Sequence, residues 1–160
     1  VSEVRNGSEQ AGEEREPLIA AAREAATRAY APYSGFHVGA ALLLKNGDIV
    51  TGANVENASY GLTLCAETSA IAKIANEGWI GELVAVAIVG GRPDGDALIG
   101  SDPVHPCGRC RQILNEAAER SRTDIIVHCS SGDGRSIASY RLSELLPAAF
   151  GPKDLGLITD

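Results

Sequence analysis

What the chain lacks narrows its function before any motif is read. No apolar run approaches the roughly 20 residues of a membrane-spanning helix, so no membrane partner is expected. Residues 1–16 are polar and mostly acidic, without the apolar stretch of a secretory signal, and a cytoplasmic location follows as an expectation. There is no basic run. Fourteen Lys and Arg face twenty-one Asp and Glu, a formal charge of −7. In residues 1–16 five Glu against two Arg account for −3, which leaves −4 for the rest. Phosphate backbones dominate nucleic-acid affinity, so this balance argues against a polynucleotide partner and for a small neutral substrate. His37, His105 and His128 show no H-x-E or H-x-x-H spacing, and Gly90-Gly91 fits no phosphate-loop pattern.

Cysteine is scarce too, and its placement matters. Of Cys65, Cys107, Cys110 and Cys129, the first three form a C-x-E … P-C-x-x-C pattern with Glu67 and Pro106. Three thiolates can hold one tetrahedral zinc and leave its fourth position open, the mark of a catalytic rather than a structural site. A redox pair at Cys107 and Cys110 is the other reading of C-x-x-C. Cys129 follows the apolar run Ile125-Ile126-Val127 and reads as a strand-end cysteine.

The 160 residues suit one domain, residues 17–150, with an arm over 1–16 and a tail over 151–160. Pro17 opens a helix with Leu18, Ala21, Ala22, Ala25 and Ala29 on one stripe, ended by Pro32. Residues 38–45 and 49–55 read as strands of a hairpin through Asn46-Gly47. A second helix spans 64–77 with Gly78 as its stop, followed by a buried strand over 83–89 and a loop over 90–103. A third helix runs from Pro106 to Glu119; strands over 124–129 and 136–140 and a short helical segment over 143–146 complete the chain. This order predicts an α/β fold with a mixed five-stranded sheet covered by helices.

Both halves of the cysteine motif then fall at helix N-termini. Cys107 and Cys110 are one turn apart on one face, and helix N-termini favour thiolates. Glu67 is the candidate proton-transfer group beside a metal-activated water; a first-turn Glu that merely complements the helix dipole is its simpler reading.

Taken in order, several segments resemble the small homotetrameric cytidine deaminases of pyrimidine salvage. They are Tyr30 to Phe36, Val38-Gly39-Ala40-Ala41, Asn54 to Gly61, Cys65-Ala66-Glu67, Pro106 to Gln112 and Leu145 to Phe150. The resemblance implies a three-layer α/β/α cytidine-deaminase-like fold, one Zn²⁺ per subunit on Cys65, Cys107 and Cys110, and active sites shared between subunits. It also implies hydrolysis of cytidine and deoxycytidine by a zinc-bound hydroxide, with Glu67 protonating N3 and assisting ammonia loss. Asn54 and Glu56 would hold the ribose, Phe36 would wall the base, and Ala66 would offer backbone to the reacting centre. Tyr60 would lie at a subunit contact, and Phe150 would reach over the pyrimidine of a neighbour.

The chain departs from this family at one place. Where C-A-E-R is usual, Thr68 follows Glu67, so helix N-termini and Arg111 are expected to offset the thiolate charge. A blasticidin-type deaminase also lacks that arginine, although Asn54, Glu56 and Phe36 favour a nucleoside. A noncatalytic zinc module would need a fourth ligand and would leave Glu67 idle.

Overall fold

The computed structural model describes residues 14–158. Helix α1 is Arg15–Ala26. It starts two residues ahead of Pro17, which still lies in the first turn, where a missing N–H costs nothing. The part of the expected arm at residues 1–13 lies outside the described residues. The helix also ends well before Pro32. The Thr27 hydroxyl donates to the Glu24 carbonyl at 2.7 Å, and three short turns follow before Tyr30 N–H joins the Asn54 carbonyl at 3.0 Å. Ala29 therefore lies beyond the helical stripe.

Strands β1 (His37–Leu44) and β2 (Ile49–Ala53) form the expected hairpin. Its turn has Gly47 at φ 89°, where any side chain would be strained, and is closed by Asn46 donating to Asp48. Helix α2, Ala66–Asn76, is capped by Cys65 and stopped at Gly78, whose φ is 79°. Strand β3, Leu83–Asp94, runs five residues beyond the expected segment and folds back on β4, Ala97–Ile99. The expected loop over 90–103 is thus largely a hairpin. Its sign in the sequence was masked by glycines that serve close approach: a Cβ on Gly91 would sit 2.5 Å from the Ile99 carbonyl oxygen. Helix α3 is Gly108–Ser121; β5 (Ile126–Ser131), β6 (Ile137–Arg141) and the short α4 (Leu142–Leu145) follow.

The strand order is β2-β1-β3-β5-β6, with β4 attached to β3 as a sixth strand outside the expected five. Only β3 and β5 pair in parallel; the other neighbours are antiparallel. Strand alternation sends side chains to two cores. Ala40, Leu42 and Leu44 of β1 face α2 and α3, while Ala41 and Leu43 face α1. Three layers result, as the resemblance implied. Each fully buried leucine, such as Leu18, Leu42 or Leu43, contributes roughly 1.5–3 kcal/mol relative to exposure.

The topology places the site. Because β2 and β3 both run antiparallel to β1, they share a direction with β5. Helix α2 follows β2, and α3 follows β3 after the short return of β4 along its last three residues, so both start at the same end of the sheet. Glycine brings α2 in flush: a Cβ on Gly52 would lie 2.5 Å from the Ala70 nitrogen and 2.6 Å from the Ala66 oxygen. Among the described residues, no helix is long and apolar enough to cross a membrane.

Candidate active site

Cys65 and Cys107 are the N-cap residues of α2 and α3, both in extended backbone, and Cys110 lies one turn into α3. The sulfurs of Cys65, Cys107 and Cys110 all lie within 4.8 Å of one another, with Cys65 and Cys107 at 3.9 Å. Ligands 2.3 Å from a tetrahedral zinc stand about 3.8 Å apart. The three sulfurs therefore fit one zinc ion, and their softness and tetrahedral spacing favour it over oxygen-seeking cations. His105 is engaged elsewhere, its Nε2 3.2 Å from the Tyr140 hydroxyl and its ring 5.5 Å from the tyrosine ring.

Burial and charge set the protonation of this cluster. The Cys65 thiol is held down at about 6, first by the Cys110 thiol, then by Cys107 and the positive charge of Arg109, against the effect of burial. Cys110 is pushed the other way by Cys65 and by burial. Of such a trio, one thiol gives up its proton early and stabilises protons on its neighbours until a metal displaces them.

Glu67 is the second residue of α2 and only 4% exposed. Burial raises its carboxyl above the usual carboxylate range, and the Cys65 charge pushes the same way. Its own backbone N–H and the Cys110 thiol pull partly back. A carboxyl so raised can carry a proton nearer neutrality, as a proton shuttle requires. Ala66, fully buried, opens the helix; the first N–H groups of a helix have no partner within it. Cys129 lies in β5, fully buried and outside the sulfur trio, its thiol pushed up to about 12 by burial and by Glu67, against Arg111.

Thr68 places its hydroxyl 3.9 Å from Cys110 Sγ. Arg111 donates from Nε to the Pro106 carbonyl and from Nη1 to the Leu145 carbonyl, both at 2.9 Å. Arg109, in the spacer of C-x-x-C, donates from Nη1 to the Thr63 carbonyl at 3.5 Å and adds a small positive influence on Cys65.

A second group of residues forms an open cavity of about 220 Å³ lined by Tyr33, Ser34, Glu56, Tyr60 and Thr63. The Glu56 carboxylate accepts from the backbone N–H groups of Tyr33 (2.9 Å) and Ser34 (3.2 Å) and from the Ser34 hydroxyl. These bonds, the hydroxyl's foremost, hold its pKa below the ordinary 4.5. Asn54, 9% exposed, accepts from Val38 N–H at 2.9 Å and donates to the Phe36 carbonyl at 3.0 Å. Tyr33 and Ser34 were not foreseen as Glu56 partners; the signal was Gly35, whose φ of 63° turns the preceding segment back onto Glu56. Arg92 donates to the Ser34 carbonyl at 3.1 Å.

Phe36 packs beside Gly90, where a Cβ would come 3.1 Å from its ring. Tyr60 is 74% exposed with its ring 5.7 Å from Tyr33, and Phe150 is 61% exposed. The Phe150 backbone is fixed, since its carbonyl accepts from Gln112 at 2.7 Å and Asn115 at 3.4 Å.

Known proteins resemble this chain in sequence and fold. Residues 12–127 match the family model described as the cytidine and deoxycytidylate deaminase zinc-binding region. A cytidine deaminase of Halalkalibacterium halodurans is 44% identical over 142 residues, covering 89% of this chain and 98% of the relative. One from Mycobacterium tuberculosis is 44% identical over 134 residues, covering 84% and 87%. The crystal structure of cytidine deaminase from Burkholderia pseudomallei superposes with a TM-score of 0.72 at 40% identity, over 84% of this chain and 98% of that one. The Bacillus anthracis enzyme, at 17% identity and a TM-score of 0.60, shares the fold. By sequence match, fold and a three-sulfur cluster at paired helix ends, the chain belongs to the zinc-binding cytidine and deoxycytidylate deaminase family.

Proposed function

We propose that this protein deaminates cytidine and deoxycytidine to uridine and deoxyuridine, releasing ammonia, as a step of pyrimidine salvage. The observation that carries this reading is Glu67, buried with a raised pKa beside three sulfurs spaced for one metal ion. Cys65, Cys107 and Cys110 hold zinc, which supplies Lewis acidity and makes water acidic near neutral pH. Glu67 accepts the proton of the attacking water, passes it to ring N3, and assists the departing amino group. The backbone at Ala66 and Cys107 orients the reacting carbon.

The rest of the chain binds the nucleoside. Phe36 walls the base. Asn54 keeps one amide proton for a sugar hydroxyl, and Glu56 keeps a lone-pair site on Oε1. Residues 17–150 form the catalytic unit, cytoplasmic in location and flanked by 1–16 and 151–160. Tyr60 and Phe150 project from a single chain. Their exposure supports a homotetramer in which Tyr60 lies at a subunit contact near the pocket and Phe150 reaches over the pyrimidine of a neighbour. A large exposed aromatic on an anchored backbone gains most when a second surface covers it.

The test is the loss of ultraviolet absorbance when the protein meets cytidine, with cytidine monophosphate, blasticidin S and a Glu67→Gln variant alongside. Turnover of cytidine that vanishes in the variant is the expected result. Turnover of blasticidin alone would move the chain to the antibiotic-inactivating branch. Zinc binding with no turnover of any substrate would leave a noncatalytic zinc module.

A further inference from the structure

We propose that Ser34 is a positioning residue for the nucleoside, a joint that holds Glu56 and Phe36 in one register and is itself fixed from β3 by Arg92. The inference rests on the nucleoside reading above and concerns how this chain aims the groups that grip the substrate.

Every polar atom of Ser34 is engaged. Its backbone N–H donates to Glu56 Oε2 at 3.2 Å, its hydroxyl donates to Glu56 Oε1, and its carbonyl accepts from Arg92 Nη1 at 3.1 Å. The hydroxyl oxygen also accepts from the Phe36 N–H at 3.0 Å. Chemistry dictates the direction of these bonds. An ionised carboxylate only accepts and a peptide N–H only donates, so the one hydroxyl proton is committed to Glu56. That bond is the main cause of the low Glu56 pKa; desolvation opposes it, and the N–H groups of Tyr33 and Ser34 and the nearby His37 add to it.

The backbone of Phe36 is held on both sides. Its N–H ends on Ser34 Oγ, and its carbonyl accepts from Asn54 Nδ2 at 3.0 Å. Glu56, Ser34, Phe36 and Asn54 therefore form one bonded chain, which ties the proposed sugar clamp to the proposed base wall.

Strand β3 supports this chain from the other side. Positions 90 and 92 share a face of the strand. Gly90 leaves room for the Phe36 ring, and Arg92 reaches the Ser34 carbonyl across the turn, 3.5 Å from where a Cβ on Gly35 would stand. Arg92 lines no part of the cavity. Its influence on a bound nucleoside must pass through Ser34.

The experiment is steady-state deamination of cytidine by the full zinc-loaded protein. The parent is compared with Ser34→Ala, Ser34→Thr, Arg92→Ala, Glu56→Gln, and Ser34→Ala combined with Glu56→Gln. Carboxyl carbon NMR follows the Glu56 midpoint without substrate. Ser34 is exposed, so its variants should fold. Ser34→Ala should raise KM roughly 10-fold, as for a lost bond to a charged group. Its kcat should stay within about 2-fold, the pattern of binding shared by ground and transition states. Ser34→Thr keeps the hydroxyl and should restore most of the loss. Arg92→Ala should raise KM about 2- to 5-fold, as for a solvated bond. The Glu56 midpoint should rise in Ser34→Ala. Because Ser34 acts through Glu56, the combined variant should cost less than the product of its two parts.

An unchanged KM in Ser34→Ala would overturn the proposal, as would a Glu56 midpoint that stays at the parent's value. So would effects of Ser34→Ala and Glu56→Gln that multiply in full, which would make Ser34 a separate substrate contact. A loss in Ser34→Thr as large as in Ser34→Ala would remove the hydroxyl from the argument and sink it too. An unchanged KM in Arg92→Ala would overturn the part given to β3. A parent that turns over no nucleoside would overturn the nucleoside reading itself, an outcome distinct from these because the Glu56 midpoint needs no substrate.

Discussion

The metal half and the sugar half of the site are built differently. Cys65, Glu67, Cys107 and Cys110 come from two helix ends pressed on one sheet, and Glu67 and Cys110 are buried. Glu56, Tyr33, Ser34 and Tyr60 line an open cavity shaped by turns and side-chain bonds. The first half is complete within one chain because helices and strands hold it from below. The second is half of a surface, its aromatics facing outward. The metal half is thus fixed by the fold of one chain, and the grip proposed for the substrate is left to loops and exposed side chains.

The sharpest way to separate the halves is Glu67→Gln. Deamination should fall by two to four orders of magnitude while zinc content, measured by atomic absorption, stays at the parent's level. Zinc loss in this variant would show that Glu67 supports the metal and not the proton.

Next in size is Glu56→Gln. Hydrogen bonds to a charged group are worth about 1.5–3 kcal/mol, so kcat/KM for cytidine should drop on the order of 10- to 100-fold with zinc retained. A smaller drop for deoxycytidine than for cytidine would narrow the contact to the 2′-hydroxyl.

Phe150→Ala should act on binding alone. Its ring is 61% exposed in one chain, so unfolding of an isolated subunit should move by less than about 0.5 kcal/mol. KM should nevertheless rise several-fold, because a neighbour's pocket loses its cover. Light scattering on the same variant would show whether assembly survives. An unchanged KM would place the ring outside every active site.

The smallest effect is a titration. The bonds from Ser34 and Tyr33 lower the Glu56 pKa in the folded chain. Their contribution is therefore present above the unfolded value and is lost only as pH falls through the lower folded one. Carboxyl carbon NMR should give Glu56 a midpoint below 4.5. A midpoint at or above that value would mean the sugar half is loose in solution.

Sequence reading reached these two halves unequally, for the same physical reason that distinguishes them. Cys65, Cys107 and Cys110 were legible because one metal geometry dictates residue type and spacing. The central strand and the Asn46-Gly47 hairpin were legible because periodicity and turn chemistry are local. The β3–β4 extension was not: glycines at 90 and 91 are ordinarily loop punctuation, but here Gly91 permits backbone contact with Ile99 and Gly132 and Gly90 makes room for the Val104, Phe36 and Val38 side chains. The partners of Glu56 lie more than twenty residues away and meet it only through a turn at Gly35. The bonds of Arg111 to the Pro106 and Leu145 carbonyls were not legible either, because they depend on where the chain returns after β6.

Gly52 gives the metal centre an unusual dependence. The separation of Cys65 from the two sulfurs of α3 is a difference between two helix heights above the sheet, and Gly52 sets the floor of one of them. A single methyl group there would press on the Ala66 oxygen and the Ala70 nitrogen, so α2 would have to shift and carry Cys65 with it. The spacing of the three sulfurs thus works as a gauge of how closely one helix rests on the sheet.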